Sequence, residues 1–324
     1  NIYGINLYNI YSNGMLIHLQ NKYYMGVAEL STGRLKTKRL GQDQQKIAYL
    51  FIFPPLILFV VFMVLPTLMA FYLSLTNYNV IQSPRFIGFK NFINIMKDPY
   101  FWVALKNTFY YAVCYVPLGL AASLGSAILL NRKKPGTKLF RTCFYLPVLS
   151  SSIATATIWL WLLNPQYGLI NTMLSWFKVN GPAWLADSDW AMIAIIIMSV
   201  WAGFGGNMMI YLAGLQGIPD YLYEAAKLDG ATKFQMFRYI TVPALTATTF
   251  LVSTMLCIGS FQMFDQAYLL TQGGPGNATV TVVYYIYNTG FGSLNMGYAS
   301  ALSVVLFAII FVFSLLNMKA GGLK

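Results

Sequence analysis

The sequence predicts an all-α integral membrane protein with six transmembrane helices. Of its 324 residues, 57% are hydrophobic and only 9% are charged, whereas an ordinary soluble domain carries roughly 25% charged residues. Six apolar stretches each approach the ~20 residues that a helix needs to cross a bilayer. The charged residues are concentrated between these stretches, because a charge inside the hydrocarbon is costly.

The net charge of +12 follows from the same architecture. In a soluble protein this excess of lysine and arginine would suggest nucleic-acid binding. Here the basic residues lie at the ends of the apolar stretches, without the interleaved basic and aromatic face of nucleic-acid-binding domains. We therefore interpret the charge as a determinant of topology and of contact with the lipid bilayer, and we expect no nucleic-acid partner.

The first predicted element is the polar segment 1–46, which becomes basic near its end. It lacks the charged start, apolar centre and small-residue cleavage site of a signal peptide. We expect a cytoplasmic tail that is partly non-native or disordered over its first residues, about 25 in number.

The apolar spans follow in order, with a first transmembrane helix at 47–76 and a core domain over residues 102–318. The first span contains Pro54, Pro55 and Pro66, which should kink or shorten it. The second is rich in glycine, alanine and serine, and it should pack on another helix because small residues let membrane helices approach closely. The predicted spans are 47–76, 102–130, 138–163, 190–217, 241–271 and 296–318.

The connecting loops indicate the orientation. The loop after the second span contains five basic residues and no acidic ones, and the chain after the sixth span contains two more lysines. The loops on the opposite side are mixed or uncharged, apart from the one after the first span. Because positive charge accumulates on the cytoplasmic side, we expect both termini and the loop 218–240 to be cytoplasmic.

The loop 218–240 is a polar island between two long apolar spans. It contains Glu224-Ala225-Ala226, with Gly230 four residues further on, and Pro243 opens the next span. Helix formers that run into a glycine and then a second helical stretch predict a helix, a turn and a helix outside the hydrocarbon. The other charged residues of this island are Asp220, Lys227, Asp229, Lys233 and Arg238.

This pattern resembles the EAA loop of the permease subunits of bacterial ATP-binding-cassette importers. Over about residues 47–318 the chain is similar to the carbohydrate branch, which includes the larger maltose-permease-type subunit, but it lacks that subunit's large extracytoplasmic insertion. The stretches that carry the similarity include Leu215-Gln216-Gly217-Ile218-Pro219, Phe261-x-x-Phe264-Asp265 and Leu270-Thr271-Gln272-Gly273-Gly274-Pro275.

The resemblance implies a type-I importer permease fold in the bacterial inner membrane and a non-catalytic chain. No phosphate-binding loop G-x-x-x-x-G-K-[ST] is present, so we expect no cofactor in this chain and ATP with magnesium on partner subunits. The implied partners are a second homologous permease, two ATPase subunits and a soluble extracytoplasmic solute-binding protein. The residues implied to couple to the ATPase are Glu224, Ala225, Ala226, Asp229 and Gly230.

Two segments, 203–207 and 260–264, offer what a sugar site needs, namely flat apolar surfaces and amide or hydroxyl groups. They lie in the spans before and after the coupling loop, where relatives of the maltose type carry their sugar contacts. At Gly206 and Met263 those relatives have polar or aromatic residues, so this chain departs from their pattern. The predicted pathway residues are Gly203, Gly206, Asn207, Ser260, Gln262, Met263, Phe264 and Asp265.

Asp265 is the only acidic residue inside any apolar span. A buried aspartate at the centre of a span costs about 2.5 to 3.5 kcal/mol on insertion scales, so it should face a polar cavity or lie near the outer surface. The sequence leaves both interpretations open.

Two other classes of function would require different residues. A secondary transporter or channel that works without ATP would need intramembrane charge networks or inverted repeats. An intramembrane enzyme would need paired catalytic groups, whereas Asp265 stands alone in the spans and the single histidine, His18, precedes them. Cys114, Cys143 and Cys257 have no metal-site spacing, so we expect no metal. The expected function is ATP-driven import of an oligosaccharide by alternating access, and both neutral and uronate oligomers remain open as the solute.

Overall fold

The computed structural model describes residues 42–132 and 135–320. The predicted tail 1–46 lies outside this range except for its last five residues, which already belong to the first helix. By its internal contacts the chain divides into two units, residues 1–65 and residues 66–324.

The described part of the first unit contains helix α1, Gln42–Phe59, which continues as a π-helical segment, Val60–Val64. Pro54 and Pro55 lie inside α1. In the π segment the Leu65 N–H donates to the Val60 carbonyl, one residue further back than in an α-helix. Such a wide turn accommodates Pro66, which follows at once and has no N–H to donate. The prolines thus modify the first span locally and do not end it.

Helix α2, Leu65–Ser74, starts at the boundary, and the second unit continues with a short hairpin in which Thr76 pairs with Phe86 and Asn77 with Arg85. The remaining elements are helical, including further π segments at Phe237–Thr241, Ala267–Thr271 and Asn288–Gly292. In chain order the strands and helices are β1 Thr76–Asn77, β2 Arg85–Phe86, α3 Lys90–Lys97, α4 Pro99–Leu130, α5 Thr137–Leu149, α6 Ser152–Leu162, α7 Leu169–Trp176, α8 Ser188–Gln216, α9 Asp220–Leu228, α10 Lys233–Met236, α11 Val242–Ala244, α12 Thr246–Phe261, α13 Val282–Tyr287 and α14 Met296–Ala320.

Four helical stretches of the described residues are long and apolar enough to cross a membrane, and two bent helix pairs bring the number to six if each pair is one span. The first, second, fourth and sixth predicted spans are confirmed as helices. The third and fifth predicted spans each correspond to a pair of helices with a bend between them. The four stretches are Tyr49–Ser74, Pro99–Leu130, Ser188–Gln216 and Met296–Asn317.

The third span breaks between α5 and α6, whose axes differ by 101°. The Ser150 N–H bonds back to the Pro147 carbonyl and closes α5. Ser151 then caps α6, because its hydroxyl accepts the Ala154 N–H at 3.2 Å. Serine competes for backbone hydrogen bonds and favours helix caps over helix interiors, which explains the break within an apolar stretch.

The fifth span is interrupted twice. The helical stretch from α10 through α11 is bent by 67° relative to α12. The second interruption follows the end of α12, where Met263 and Phe264 are not helical. The helix resumes at Asp265 and passes into the π segment Ala267–Thr271.

Helix α4 packs against α8 and α12 through its small residues, as predicted. The buried Ser123 hydroxyl is 2.6 Å from the Gly119 carbonyl and 3.3 Å from the Phe204 carbonyl of α8. A methyl group on Gly119 would lie 3.3 Å from Leu256 of α12. Small side chains therefore set the distance between these three helices.

Hydrogen bonds around Asp98 join the first turns of α4 and α14 to α13. The Asp98 carboxylate accepts the Tyr100 N–H at 2.9 Å and so caps α4. The phenols of Tyr285 and Tyr298 both donate to its other oxygen, the latter at 2.8 Å. One carboxylate thus links α4, α13 and α14.

Candidate functional site: a cavity among the broken helices

A cavity of about 230 Å³ lies where α4, α5, α6, α8 and the broken fifth span converge. Its walls combine hydroxyl and amide groups with short apolar patches. The lining residues are Tyr115, Pro147, Val148, Ser150, Ser152, Thr155, Ala156, Met198, Ser199, Ala202, Gly203, Asp265, Gln266 and Leu269.

The break in the third span supplies the hydroxyl-rich wall. Ser150 ends α5, and Ser152 and Thr155 lie in the first turn of α6. Helix ends leave backbone N–H and C=O groups without intrahelical partners, so residues with polar side chains are favoured there. The break therefore brings three hydroxyl groups to the cavity.

Glycines of α8 allow the other wall to form. An added methyl group on Gly205 would lie 2.0 Å from the Phe144 carbonyl oxygen, so the backbone of α5 lies directly against α8 at this point. On Gly203 it would lie 2.9 Å from the Tyr115 hydroxyl, so this glycine leaves room for the phenol. The Tyr115 ring is stacked on Tyr111 with 5.1 Å between ring centroids, which fixes its plane.

The second interruption of the fifth span positions Asp265 and Gln266. The carbonyl of Met263, which the break frees, accepts the Thr281 hydroxyl at 2.8 Å in a buried position. A buried carbonyl without a partner would be costly, so this bond allows the chain to leave the helix and resume at Asp265. The Asp265 side chain is exposed within the chain and lines the cavity.

The structure brings only two of the eight predicted pathway residues, Gly203 and Asp265, to the cavity. Ser260 and Met263 are 0% and 4% exposed and pack inside the chain. Gln262 is exposed in the interruption, and Phe264 stacks on Tyr268 with 5.2 Å between ring centroids. Gly206 and Asn207 lie near the cavity without lining it. A methyl group on Gly206 would lie 3.7 Å from Val148, and the Asn207 amide is 3.5 Å from the Gly203 carbonyl.

Sequence reasoning missed Tyr115, the α5–α6 hydroxyls, Ser199 and Gln266. A signal was present in Ser150-Ser151-Ser152, which follows Pro147 within an apolar stretch. Tyr115 carried no such signal, since it is one tyrosine among many.

The arrangement suits recognition of a polar solute. Hydroxyls and an amide can exchange hydrogen bonds with solute hydroxyls, and the Tyr115 ring offers a flat apolar face. Among the residues that the structure describes, no group of three or more His, Cys, Asp or Glu side chains is placed to hold a metal ion.

The predicted helix, turn and helix of the polar island are confirmed. Helix α9 is followed by Gly230 at φ +78°, a conformation that favours glycine. Helix α10 begins with a capping box between Thr232 and Gln235. Of the predicted coupling residues, Ala226 is half-buried and the others are exposed, namely Glu224, Ala225, Asp229 and Gly230.

Large apolar side chains are also exposed around this island. Leu228 is 90% exposed, and Tyr221, Phe234 and Tyr239 are each at least 66% exposed. Exposed apolar groups clustered among charged residues are typical of a protein–protein contact. Sequence reasoning had singled out the charged and small residues here and missed these.

Long apolar helices, a cavity among broken spans and a protruding polar island together define a multi-pass helical membrane protein of the solute-transport class. The chain belongs to the family described as binding-protein-dependent transport system inner membrane component, whose sequence profile matches residues 115–318. It is accordingly a permease subunit of an ATP-binding-cassette importer and not itself an enzyme.

Three similar proteins support this assignment. The Bacillus subtilis (strain 168) protein named Probable ABC transporter permease protein YurN is 38% identical over 86% of this chain and 97% of its own length. The Lactose transport system permease protein LacF of Rhizobium radiobacter is 36% identical over 84% of this chain and 93% of its own length. A solved bacterial alginate ABC transporter, in complex with an alginate pentasaccharide-bound periplasmic protein, contains a chain that is 25% identical. That chain superimposes with a TM-score of 0.76, covering 87% of this chain and 96% of its own.

Proposed function

We propose that this permease imports an oligosaccharide and that the solute is contacted in the cavity between the broken third and fifth spans. The observation that carries the proposal is the cavity wall, in which five hydroxyl groups, the Gln266 amide and the Tyr115 ring face one space. Saccharides require this combination of hydrogen-bonding groups and flat apolar surface. The names of LacF and of the alginate transporter support a saccharide solute.

The coupling residues are proposed to act through the polar island. The exposed face of α9 and the apolar side chains around it would dock on an ATPase subunit. Glu224 can accept a charge-assisted hydrogen bond from a lysine or arginine of that subunit. In this proposal two ATPase subunits bind ATP and magnesium, and both termini of this chain lie on their side of the membrane.

The complete importer would also contain a second, homologous permease and a soluble binding protein that delivers the solute from outside. A periplasmic protein loaded with saccharide is part of the alginate transporter complex. Closure of the ATPase pair would move the island and turn the cavity from inward-facing to outward-facing, as a rigid-body change.

The test is ATPase activity of the membrane complex purified through this chain and assayed with its binding protein and a panel of oligosaccharides. We expect at least one oligosaccharide to stimulate ATP hydrolysis, while amino acids and inorganic ions leave it unchanged. Stimulation by a non-saccharide alone would overturn the proposed solute. A chain that purifies without any ATPase would overturn the coupling proposal and favour a secondary transporter.

A further inference from the structure

The charge in the lining of the cavity is of one sign, negative. Among the described residues that line it, Asp265 carries the only carboxyl group, and neither lysine nor arginine is present. The other polar groups are neutral hydroxyls and one amide. Asp265 is also the first residue of a resumed helical turn, so its backbone position is set by the interruption before it.

Basic residues on the surrounding helices do not offset this carboxylate at the cavity. Lys106 of α4 and Lys138 and Arg141 of α5 are absent from its lining. Arg141 instead donates to the Leu130 carbonyl at 2.7 Å. The first turn of α6 reaches the cavity through Ser152, and a helix N-terminus is equivalent to only about half a positive charge.

We propose that Asp265 makes this permease selective for neutral saccharides over uronate oligomers, an inference that rests on the proposed saccharide import through this cavity. A uronate carboxylate entering the cavity would meet a like charge at short range and be repelled by it. A neutral sugar meets instead an acceptor for its hydroxyls. The chain then differs in solute charge from the alginate transporter whose fold it shares, since a fold does not fix the solute.

The experiment measures equilibrium binding of two labelled tetrasaccharides, one neutral and one of uronate units, to the complete permease–ATPase complex in lipid nanodiscs. The binding protein is omitted because it would impose its own selectivity. Wild type is compared with Asp265→Asn, which keeps the side-chain shape and removes the charge. The control is Asp189→Asn, which removes one exposed charge from the first turn of α8, outside the cavity lining.

We expect wild type and Asp189→Asn to bind the uronate tetramer at least about tenfold more weakly than the neutral one, and Asp265→Asn to reduce this ratio to about threefold or less. An unchanged ratio in Asp265→Asn would overturn the selectivity proposal and leave saccharide import standing. Equal binding of both tetramers by wild type would also overturn the selectivity proposal and leave saccharide import standing. If no variant bound either tetramer, the saccharide site itself would be refuted.

Discussion

At the scale of single residues, two adjacent glycines of α8 tolerate very different volumes. A methyl group on Gly205 would lie 2.0 Å from the Phe144 carbonyl oxygen, a backbone atom that cannot rotate away. A methyl group on Gly206 would lie 3.7 Å from Val148, which is ordinary van der Waals contact. The approach of α5 to α8, and with it one cavity wall, depends on the first of these glycines.

Gly205→Ala should therefore destabilise the protein, by about 1 to 3 kcal/mol, as overpacking in a tight interface does. Gly206→Ala is the matched control and should melt close to wild type. The measurement is thermal unfolding of the purified complex, followed by tryptophan fluorescence. Equal melting temperatures for the two variants would contradict the close approach of α5 and α8.

Asp98 combines a helix cap with two phenol hydrogen bonds. Asp98→Ala should lose both, with a cost of about 2 to 3 kcal/mol. Asp187 caps α8 in the same way by accepting the Asp189 N–H at 2.9 Å, so Asp187→Ala should lose a cap alone, about 1 kcal/mol. Denaturation of both variants measures the difference, and an equal loss would show that the phenols contribute nothing.

The Asp98 carboxyl should also make the stability of the fold depend on pH. Burial of Asp98 raises its pKa, but hydrogen bonds from Tyr285, Tyr298 and the Tyr100 and Phe101 N–H groups lower the pKa below its ordinary value of 3.8. A lowered folded-state pKa stabilises the fold above 3.8 and loses that contribution as pH falls through the folded value. The melting temperature of wild type should therefore drop more steeply than that of Asp98→Asn between about pH 5 and about pH 3. Parallel curves of melting temperature against pH for wild type and Asp98→Asn would contradict this prediction.

At the scale of elements, the broken fifth span depends on one side chain from another part of the chain. The Thr281 hydroxyl donates to the Met263 carbonyl at 2.8 Å and accepts the Tyr284 N–H at 3.3 Å. Thr281 thus gives the free carbonyl of the interruption before Asp265 a hydrogen-bond partner, and it also caps α13. Without this hydroxyl, the freed carbonyl would be buried without a partner.

Thr281→Val keeps the shape and removes the hydroxyl, so it should destabilise the protein by about 1 to 3 kcal/mol. Thr281→Ser keeps the hydroxyl and should cost less than half as much. Because Asp265 follows the interruption, Thr281→Val should also weaken solute binding more than Thr281→Ser does. Both variants are measured by thermal unfolding and by tetrasaccharide binding, and identical behaviour would refute the role of the hydroxyl.

The elements that the sequence predicted well are those whose signal is local. Four spans follow from uninterrupted apolar stretches of sufficient length, and the island follows from its charges and Gly230. The breaks at Ser150–Ser152 and Met263–Phe264 were missed because a hydropathy average hides a few serines or a single aspartate. The break before Asp265 also needs the hydrogen bond from Thr281 to the Met263 carbonyl, eighteen residues earlier in the chain, and no local pattern indicates that bond.

The candidate site shows the same limit. Gly203 could be proposed from the resemblance to maltose-type permeases, and Asp265 because an acidic residue inside an apolar span is unusual. Tyr115, Ser199 and Gln266 reach the cavity only because α4, α8 and the fifth span converge there. Convergence of distant segments is a property of packing, which residue patterns along one chain do not contain.

At the scale of the whole molecule, the proposed coupling through Glu224 predicts a variant that assembles in the membrane but does not work. Glu224→Lys replaces an exposed acid by a base and should leave membrane insertion intact, because the side chain lies on the surface of α9. It should abolish ATPase co-purification or reduce solute-stimulated ATP hydrolysis at least about tenfold, since a favourable charge contact becomes repulsive.

The matched control is Asp189→Lys, which makes the same charge change in the first turn of α8, at the end of that helix away from the island. This variant should insert normally and keep its ATPase partner and its stimulation. Normal stimulated hydrolysis in Glu224→Lys would refute the coupling role of α9. Loss of membrane insertion in both variants alike would refute the placement of these residues outside the hydrocarbon.

The π segment Phe237–Thr241 has a consequence for the direction in which the island faces. Each residue of an α-helix turns the chain by about 100°, and a π turn holds one residue more than an α turn. The segment therefore sets the angular phase between the island and the membrane helices that follow Pro243. A substitution leaves that phase unchanged, whereas gain or loss of one residue would point Glu224 to a different side while every helix kept its fold. In this linker the number of residues governs the alignment of the island more than their chemistry does.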